Sequence, residues 1–316
     1  MLPILTITLN PALDIAADAP HVIAGPKLRL SDPVIEPGGG GINVARAIAL
    51  LGGQARALAA LGGVTGAQME ALIADQGVAL VPFAVAGETR QSLTVTDQSD
   101  GRQFRFVLPG PQWSADMAAQ LLSAAGQAAP PGGWVVLSGS QPPGVAADFP
   151  ARLARRLAES EARLVVDTSG AALVQMVAGG ADPAPWCLRM DQAEAEEQAG
   201  RALPDVADSL AFAGELVARG VAQVVVLARG ADGSVLVGEG ARLHCRPPQV
   251  PVKSKVGAGD SFTGAFTLAM ARSGDTAEAL RQGTAAAAAA VMTASTELCR
   301  RADTERLARA GVLTAY

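Results

Sequence analysis

Apolar, β-rich runs recur along this chain with helical patterns between them, and that alternation constrains the fold more than any other feature. Ile4–Leu9, Arg56–Ala60, Trp134–Leu137, Arg163–Val166 and Gln223–Ala228 read as strands. Their apolar residues run on continuously, which is the pattern of strands covered on both faces in a parallel sheet. Helices are expected between and after them, over Gly41–Leu51, Gly66–Asp75, Ser114–Gln127, Ala147–Ser160, Ala207–Arg219, Asp260–Arg272 and Thr276–Thr293. The fold class predicted is α/β, a doubly wound, mostly parallel sheet with helices on both faces. Two segments, Ile15–Glu36 and Thr89–Leu108, break this rhythm. The second alternates polar and apolar residues around the turn Ser99-Asp100-Gly101, a hairpin signature. Together the two segments predict a small antiparallel β lid on a single domain spanning residues 1–316.

Composition narrows the function classes. The formal net charge of −5 argues against a general nucleic-acid binder, which needs a basic surplus to neutralise phosphates. The alanine-rich run Ala285–Val291 is too short for a membrane span and is expected to be a buried helix. Residues 1–10 lack a charged segment followed by a long apolar core, so no export signal is read and a cytoplasmic location is expected. The three cysteines, Cys187, Cys245 and Cys299, show no CxxC spacing and suit a reducing compartment. His21 and His244 are the only histidines, so nucleophilic catalysis through a histidine is poorly supplied.

Two glycine-rich segments carry the chemistry. Val256-Gly257-Ala258-Gly259-Asp260-Ser261-Phe262 sets a small-residue turn before a carboxylate and a helix. Backbone N–H groups there, with a helix dipole behind them, suit a phosphoryl group whose charge is increasing. A carboxylate beside that cradle would orient an attacking hydroxyl, which predicts phosphoryl transfer to an alcohol. The bland alternative is an ordinary turn with Asp260 as helix N-cap. Glu36-Pro37-Gly38-Gly39-Gly40-Gly41-Ile42-Asn43-Val44-Ala45-Arg46 places a tetraglycine turn before a second helix. It is neither a Walker loop nor a dinucleotide fingerprint.

Gly38–Leu51 and Val256–Phe262 together resemble the two signatures of the ribokinase-like (PfkB) family of carbohydrate kinases. The resemblance runs nearly the whole length, through Thr8-Leu9-Asn10-Pro11-Ala12-Leu13-Asp14, Lys27-Leu28-Arg29, Thr89-Arg90-Gln91-Ser92-Leu93, Arg105–Gly110, Ser138–Gly144 and Val166–Gly170 in family order. It implies a ribokinase-like fold, ATP as co-substrate, Mg²⁺ as cofactor, and pairing of two lids in a homodimer. It implies that Asp260 orients the acceptor hydroxyl while Gly257, Ala258 and Gly259 stabilise the transferring group. A carboxylate at a helix N-terminus is expected to stay ionised at neutral pH. By the same resemblance the sugar would meet Asp14, Gly38, Gly39, Asn43, Ser138 and Ser140, and its phosphate Lys27, Arg90 and Arg105. Within the family, the tetraglycine and the Lys-Leu-Arg and Thr-Arg-Gln motifs look most like the branch that phosphorylates fructose 6-phosphate at its 1-hydroxyl. The 1-phosphofructokinase and tagatose-6-phosphate kinase branches commonly have a Lys inside the glycine motif, where this chain has Gly40.

The nucleotide half departs from the family pattern. Where the family has Asn-x-x-Glu after Lys-Pro, this chain reads Arg189-Met190-Asp191-Gln192-Ala193-Glu194, so Asp191 and Glu194 are the candidate metal ligands. The nucleotide turn reads Ala228-Arg229-Gly230, with Gly233 beyond it, and Arg229 is expected near ATP phosphates. Lys255 stands before the nest and adds a cation on the nucleotide side. These changes keep open an alternative from another class, a non-catalytic sugar-phosphate sensor.

Overall fold

The structure is a computed structural model that describes residues 1–179, 182–238, 240–294 and 296–316. The chain opens with β1 (Ile4–Thr8), β2 (Ala12–Ala19), β3 (Val34–Gly38), α1 (Gly40–Leu50), β4 (Arg56–Leu61), α2 (Gly63–Asp75) and β5 (Ala79–Ala84). It continues through β6 (Arg90–Asp97), β7 (Gln103–Val107), α3 (Ala115–Ala128), β8 (Trp134–Ser138), α4 (Phe149–Leu157), β9 (Arg163–Asp167), α5 (Gly170–Gly179) and β10 (Cys187–Met190). After these come α6 (Gln192–Ala199), α7 (Val206–Ala218), β11 (Val224–Ala228), β12 (Ser234–Gly238), β13 (Ala241–Arg246), α8 (Ala258–Ser273), α9 (Thr276–Ala290), α10 (Arg301–Ala310) and β14 (Val312–Ala315).

A ten-stranded sheet in the order β14-β13-β12-β11-β10-β9-β8-β1-β4-β5 forms the body. Pairing is parallel from β5 across to β11 and antiparallel from β11 to β14. The continuous apolar strands are explained by burial on both faces. In β8, Val135 and Leu137 pack with Leu121 and Leu153 on one side, while Trp134 and Val136 pack with Ile48, Phe262 and Phe266 on the other. Each such side chain removed from water contributes about 1.5–3 kcal/mol. Trp134 meets Trp186 edge-on at 4.6 Å, and Phe262 stacks on Phe266 at 5.7 Å, so the second layer is anchored by aromatic rings. The alanine run lies in α9, where Ala285, Ala286 and Ala288–Ala290 are buried, and small side chains there let α9 sit close against α8.

β1 pairs with β4 on one side and β8 on the other, so the chain reverses its direction of winding between β1 and β8. Open α/β sheets bind ligands at the carboxyl ends of strands beside such a reversal. The second sheet has the order β3-β2-β6-β7. Its β2–β3 and β6–β7 pairings are antiparallel as expected, and its central β2–β6 pair is parallel. The two hairpins are separated by α1 to β5, so no tight turn dictates the direction in which they meet.

Candidate active site

The Gly-Ala-Gly-Asp segment begins α8. Gly257 is the N-cap at φ 73°, a left-handed conformation that glycine adopts without strain, and no side chain caps this end. Asp260 is the third residue of the helix, so the N-cap reading does not apply to it. The N–H groups of Ala258, Gly259 and Asp260 have no intrahelical partner and point outward at the positive end of the dipole. A Cβ on Gly259 would lie 2.8 Å from Arg189 Nη1, so the glycine admits the Arg189 guanidinium beside the helix start. Arg189 pairs with Asp167 at 3.2 Å, and Thr263 donates to the other Asp167 oxygen at 2.9 Å. Asp167 and Arg189, at the ends of β9 and β10, thereby tie the sheet to α8. No role was read for either residue in the sequence, although Asp167 stands in a family motif and Arg189 occupies the usual lysine position.

The tetraglycine brings α1 to the same place. A side chain at Gly40 would strike Ser138 Oγ at 2.4 Å and the Gly139 nitrogen at 2.6 Å, and one at Gly41 would strike the Ile7 carbonyl at 2.5 Å. Only glycine lets α1 start pressed into the ends of β1 and β8. This puts Asn43 on the first turn, where its Nδ2 donates to Asp260 Oδ2 at 2.9 Å. A Cβ on Gly38 would fall 2.0 Å from Asp14 Oδ2, so the Asp14 carboxylate lies over Gly38.

Burial is the largest influence on both acids. It pushes the Asp260 carboxyl up to about 6 against the opposing hydrogen bond from Asn43, with Asp167 raising it further and Arg189 lowering it. Asp14 is likewise pushed up to about 6 by burial, opposed by Arg90, Arg105 and Arg46 in that order. Asp260, expected to be ionised, thus sits in surroundings that oppose its charge. At neutral pH it is still mainly ionised, with a proton affinity raised by its surroundings.

The second sheet carries two of the three expected basic residues, and both act on the Asp14 charge. Arg90 donates from Nε and Nη2 to the Asn10 carbonyl at 3.2 Å each, and Arg105 projects from β7 toward the same acid closely enough to lower its pKa. Lys27 stands exposed in the β2–β3 connection, and among the described residues it makes no hydrogen bond or ion pair. Ser138 is buried at the end of β8, and Ser140 beyond it accepts a bond from Asn10 Nδ2 at 3.3 Å. A cavity of about 240 Å³ lies between the start of α8 and the strand ends, bordered by Ser138, Asp167, Arg189, Glu194, Gly259 and Asp260.

On the nucleotide side, the structure gives the expected residues other partners. Asp191 and Glu194 form a capping box at the start of α6, where Asp191 Oδ1 accepts from the Glu194 nitrogen and Glu194 Oε2 from the Asp191 nitrogen, both at 2.9 Å. One oxygen of each is thus committed to the backbone, and Asp191 is exposed. Glu194 alone borders the cavity, and burial pushes its carboxyl upward. Among the described residues no group of three or more His, Cys, Asp or Glu is arranged to hold a metal ion. The remaining Glu194 oxygen suits a Mg²⁺ ion that arrives on substrate phosphates and keeps most of its waters. Arg229, expected near ATP phosphates, is turned inward. Its guanidinium donates to the carbonyls of Leu203 and Pro204, each at 3.0 Å, and to Ser209 Oγ, pinning the start of α7 to the end of β11. Gly230 and Gly233 bracket a single 3₁₀ turn after β11, and Lys255 is exposed in the approach to α8.

A helix-terminal anion nest, an acid held by a carboxamide and a strand-end cavity at the reversal point are the parts of a phosphotransferase acting on an alcohol. The chain belongs to the pfkB family of carbohydrate kinases, whose sequence profile matches residues 8–303. It is 40% identical over 303 residues to the ATP-dependent 6-phosphofructokinase isozyme 2 of Mycobacterium tuberculosis, covering 96% of this chain and 88% of that one. It is 35% identical over 273 residues to a 1-phosphofructokinase of Xanthomonas campestris, covering 84% and 83%. The crystal structure of phosphofructokinase-2 from Escherichia coli in complex with fructose-6-phosphate superposes with a TM-score of 0.90 at 37% identity, over 98% of this chain and 99% of that chain.

Proposed function

We propose that this protein transfers the γ-phosphoryl group of ATP to the 1-hydroxyl of fructose 6-phosphate in the cytoplasm. The observation that carries the reading is the contact between Asp260, on the anion-nest helix, and Asn43, on the tetraglycine helix, beside the strand-end cavity. The sugar lies along Asp14, Gly38, Gly39 and Asn43, with Ser138 and Ser140 at the strand ends. Its 6-phosphate meets the forked guanidiniums of Arg90 and Arg105, with Lys27 reaching in from the β2–β3 connection when the lid closes. Asp260 accepts the hydrogen bond of the 1-hydroxyl and aligns its oxygen for in-line attack. The N–H groups at Gly257, Ala258 and Gly259 stabilise the charge gathered on the transferring group. ATP approaches from the side of Gly230, Gly233 and Lys255. Glu194 would hold Mg²⁺ on the protein side, and the ion would neutralise charge on the nucleotide phosphates. The second sheet acts as the lid, excluding water from the transferring group.

The rival acceptors are the substrates of 1-phosphofructokinase and tagatose-6-phosphate kinase. Gly40 supports the first reading, because the rival branches commonly have a Lys at that place. The exposed apolar residues of the second sheet and the connection that follows it, Val34, Ile35, Phe106, Val107 and Leu108, support a homodimer formed lid to lid. The three cysteines are free and buried, in keeping with a reducing compartment. A panel of fructose 6-phosphate, fructose 1-phosphate and tagatose 6-phosphate, compared by kcat/KM with Mg·ATP, tests the assignment. Fructose 6-phosphate is expected to lead by at least about tenfold, a difference of some 1.4 kcal/mol in transition-state binding. A lead for either rival would overturn it, and binding without turnover would favour the sensor.

A further inference from the structure

Arg46 is buried on α1 one turn beyond Asn43, and its guanidinium bonds are shared among four neighbours. Nε donates to Gln76 Oε1 at 2.5 Å, and Nη2 donates to Glu36 Oε1 at 2.7 Å. Nη1 donates to the Pro37 carbonyl at 2.9 Å and to Asn43 Oδ1 at 3.0 Å. Glu36 in turn accepts from Thr296 Oγ1. A guanidinium has only donors, so the atom of Asn43 that faces it must be the carboxamide oxygen. The other end of that carboxamide, the NH₂, is left to face Asp260.

We propose that Arg46 is a positioning residue of the phosphoryl-transfer site, fixing the Asn43 carboxamide so that its NH₂ and never its oxygen meets the Asp260 carboxylate. The inference rests on the reading of Asp260 as the acid that orients the acceptor hydroxyl. An unpinned carboxamide rotates between two states that look alike in shape and differ in charge. In one it donates to the carboxylate, and in the other it sets one lone-pair oxygen against another and favours a protonated Asp260. A protonated Asp260 accepts the hydroxyl's hydrogen bond more weakly and can take no proton from it. The remaining charged groups around Asp260 are Asp167 on β9, Arg189 on β10, Asp14 on β2 and Glu194 on α6, and none of these contacts Asn43 in place of Arg46. Glu36 lies on β3 opposite Asp14 in the neighbouring strand, so the same guanidinium also joins the root of the lid to the first turn of α1.

The test is the pH dependence of kcat/KM in Arg46→Lys, which keeps the charge and loses the fork. The acid limb of the profile is expected to move up by about one pH unit, with about a tenfold loss below it. In the Asn43→Ala background the Arg46 substitution is expected to move the limb no further. Should Arg46→Lys fail to fold, Gln76→Ala removes one exposed acceptor of the guanidinium and is expected to shift the limb in the same direction by less. A uniform loss at every pH, with the limb unmoved, would reduce Arg46 to a structural anchor and overturn the proposal. Titration of the Asp260 carboxyl by carbon NMR in Arg46→Lys reads the relay without turnover. Asp260→Asn reads the catalytic assignment separately: full activity there sinks that assignment, while an unmoved Asp260 titration sinks only the relay.

Discussion

Asp260 and Asp14 are each held at a cost in ionisation. In each, the folded-state pKa is about 6 against an ordinary value of 3.8, so the fold disfavours the charged form. The unfolded chain ionises first as pH rises, and the penalty grows between about pH 4 and 6 and is fully present at neutral pH. Asp260→Asn is therefore expected to stabilise the protein at pH 7 by up to about 3 kcal/mol, the equivalent of some two pKa units, with the gain vanishing as pH falls to 4. Thermal melts across pH 4 to 7.5 check it, and a gain that grows toward acid would have the wrong sign. Gly40→Ala makes the opposite prediction. Its new methyl meets strand backbone that cannot move aside, so a loss of about 1–3 kcal/mol in denaturant unfolding is expected. For the lid cations, Arg90→Ala and Arg105→Ala should each raise KM for the sugar phosphate by roughly ten- to a hundredfold, the worth of a charge-assisted hydrogen bond, with less effect on kcat. Steady-state kinetics decide this, and a fall confined to kcat would place these residues elsewhere.

Among the elements, helix starts carry most of the site, and they were unevenly readable. Asp260 and Asn43 were legible because glycine runs before helices announce close approach of backbone to something else. The Asp191–Glu194 pair was legible as two acids one turn apart, but the same spacing serves a capping box, and sequence alone cannot tell which oxygens the backbone has claimed. The two readings separate by measurement. Asp191→Ala is expected to lower stability by about 1 kcal/mol through the lost cap, with little change in Mg²⁺ dependence, whereas Glu194→Gln should raise the Mg²⁺ concentration needed for half-maximal rate. Equal Mg²⁺ effects from both substitutions would restore Asp191 as a ligand. The inward turn of Arg229 was not legible for a related reason. A guanidinium near a nucleotide turn invites an anion, and its burial against the Leu203 and Pro204 carbonyls depends on a loop twenty-odd residues away in the chain. The short strand β10 and the strand β13 escaped the sequence reading because Arg189 in the one, and Arg242, His244 and Arg246 in the other, break any continuous apolar run.

For the whole molecule, the order of apolar strands and helices was enough to foresee a doubly wound sheet, since two-faced burial leaves its mark on every residue of β1, β8 and β11. What that order could not give was the pairing of β2 with β6, which brings Asp14 level with Ser92 and two residues beyond the Ala12–Arg90 pair, and so assembles the sugar-facing cluster from segments far apart in the chain. In the body, α8 is buried along most of its length between α1, α9 and the sheet. The central claim is that Asp260, presented by that buried helix, aligns the acceptor hydroxyl for transfer from ATP. Its most direct test is kcat for Mg·ATP and fructose 6-phosphate in Asp260→Asn, measured beside the sugar-phosphate Kd. The account predicts a loss of about a hundred- to ten-thousandfold in kcat with Kd within a few-fold of the parent; a kcat near that of the parent would contradict it.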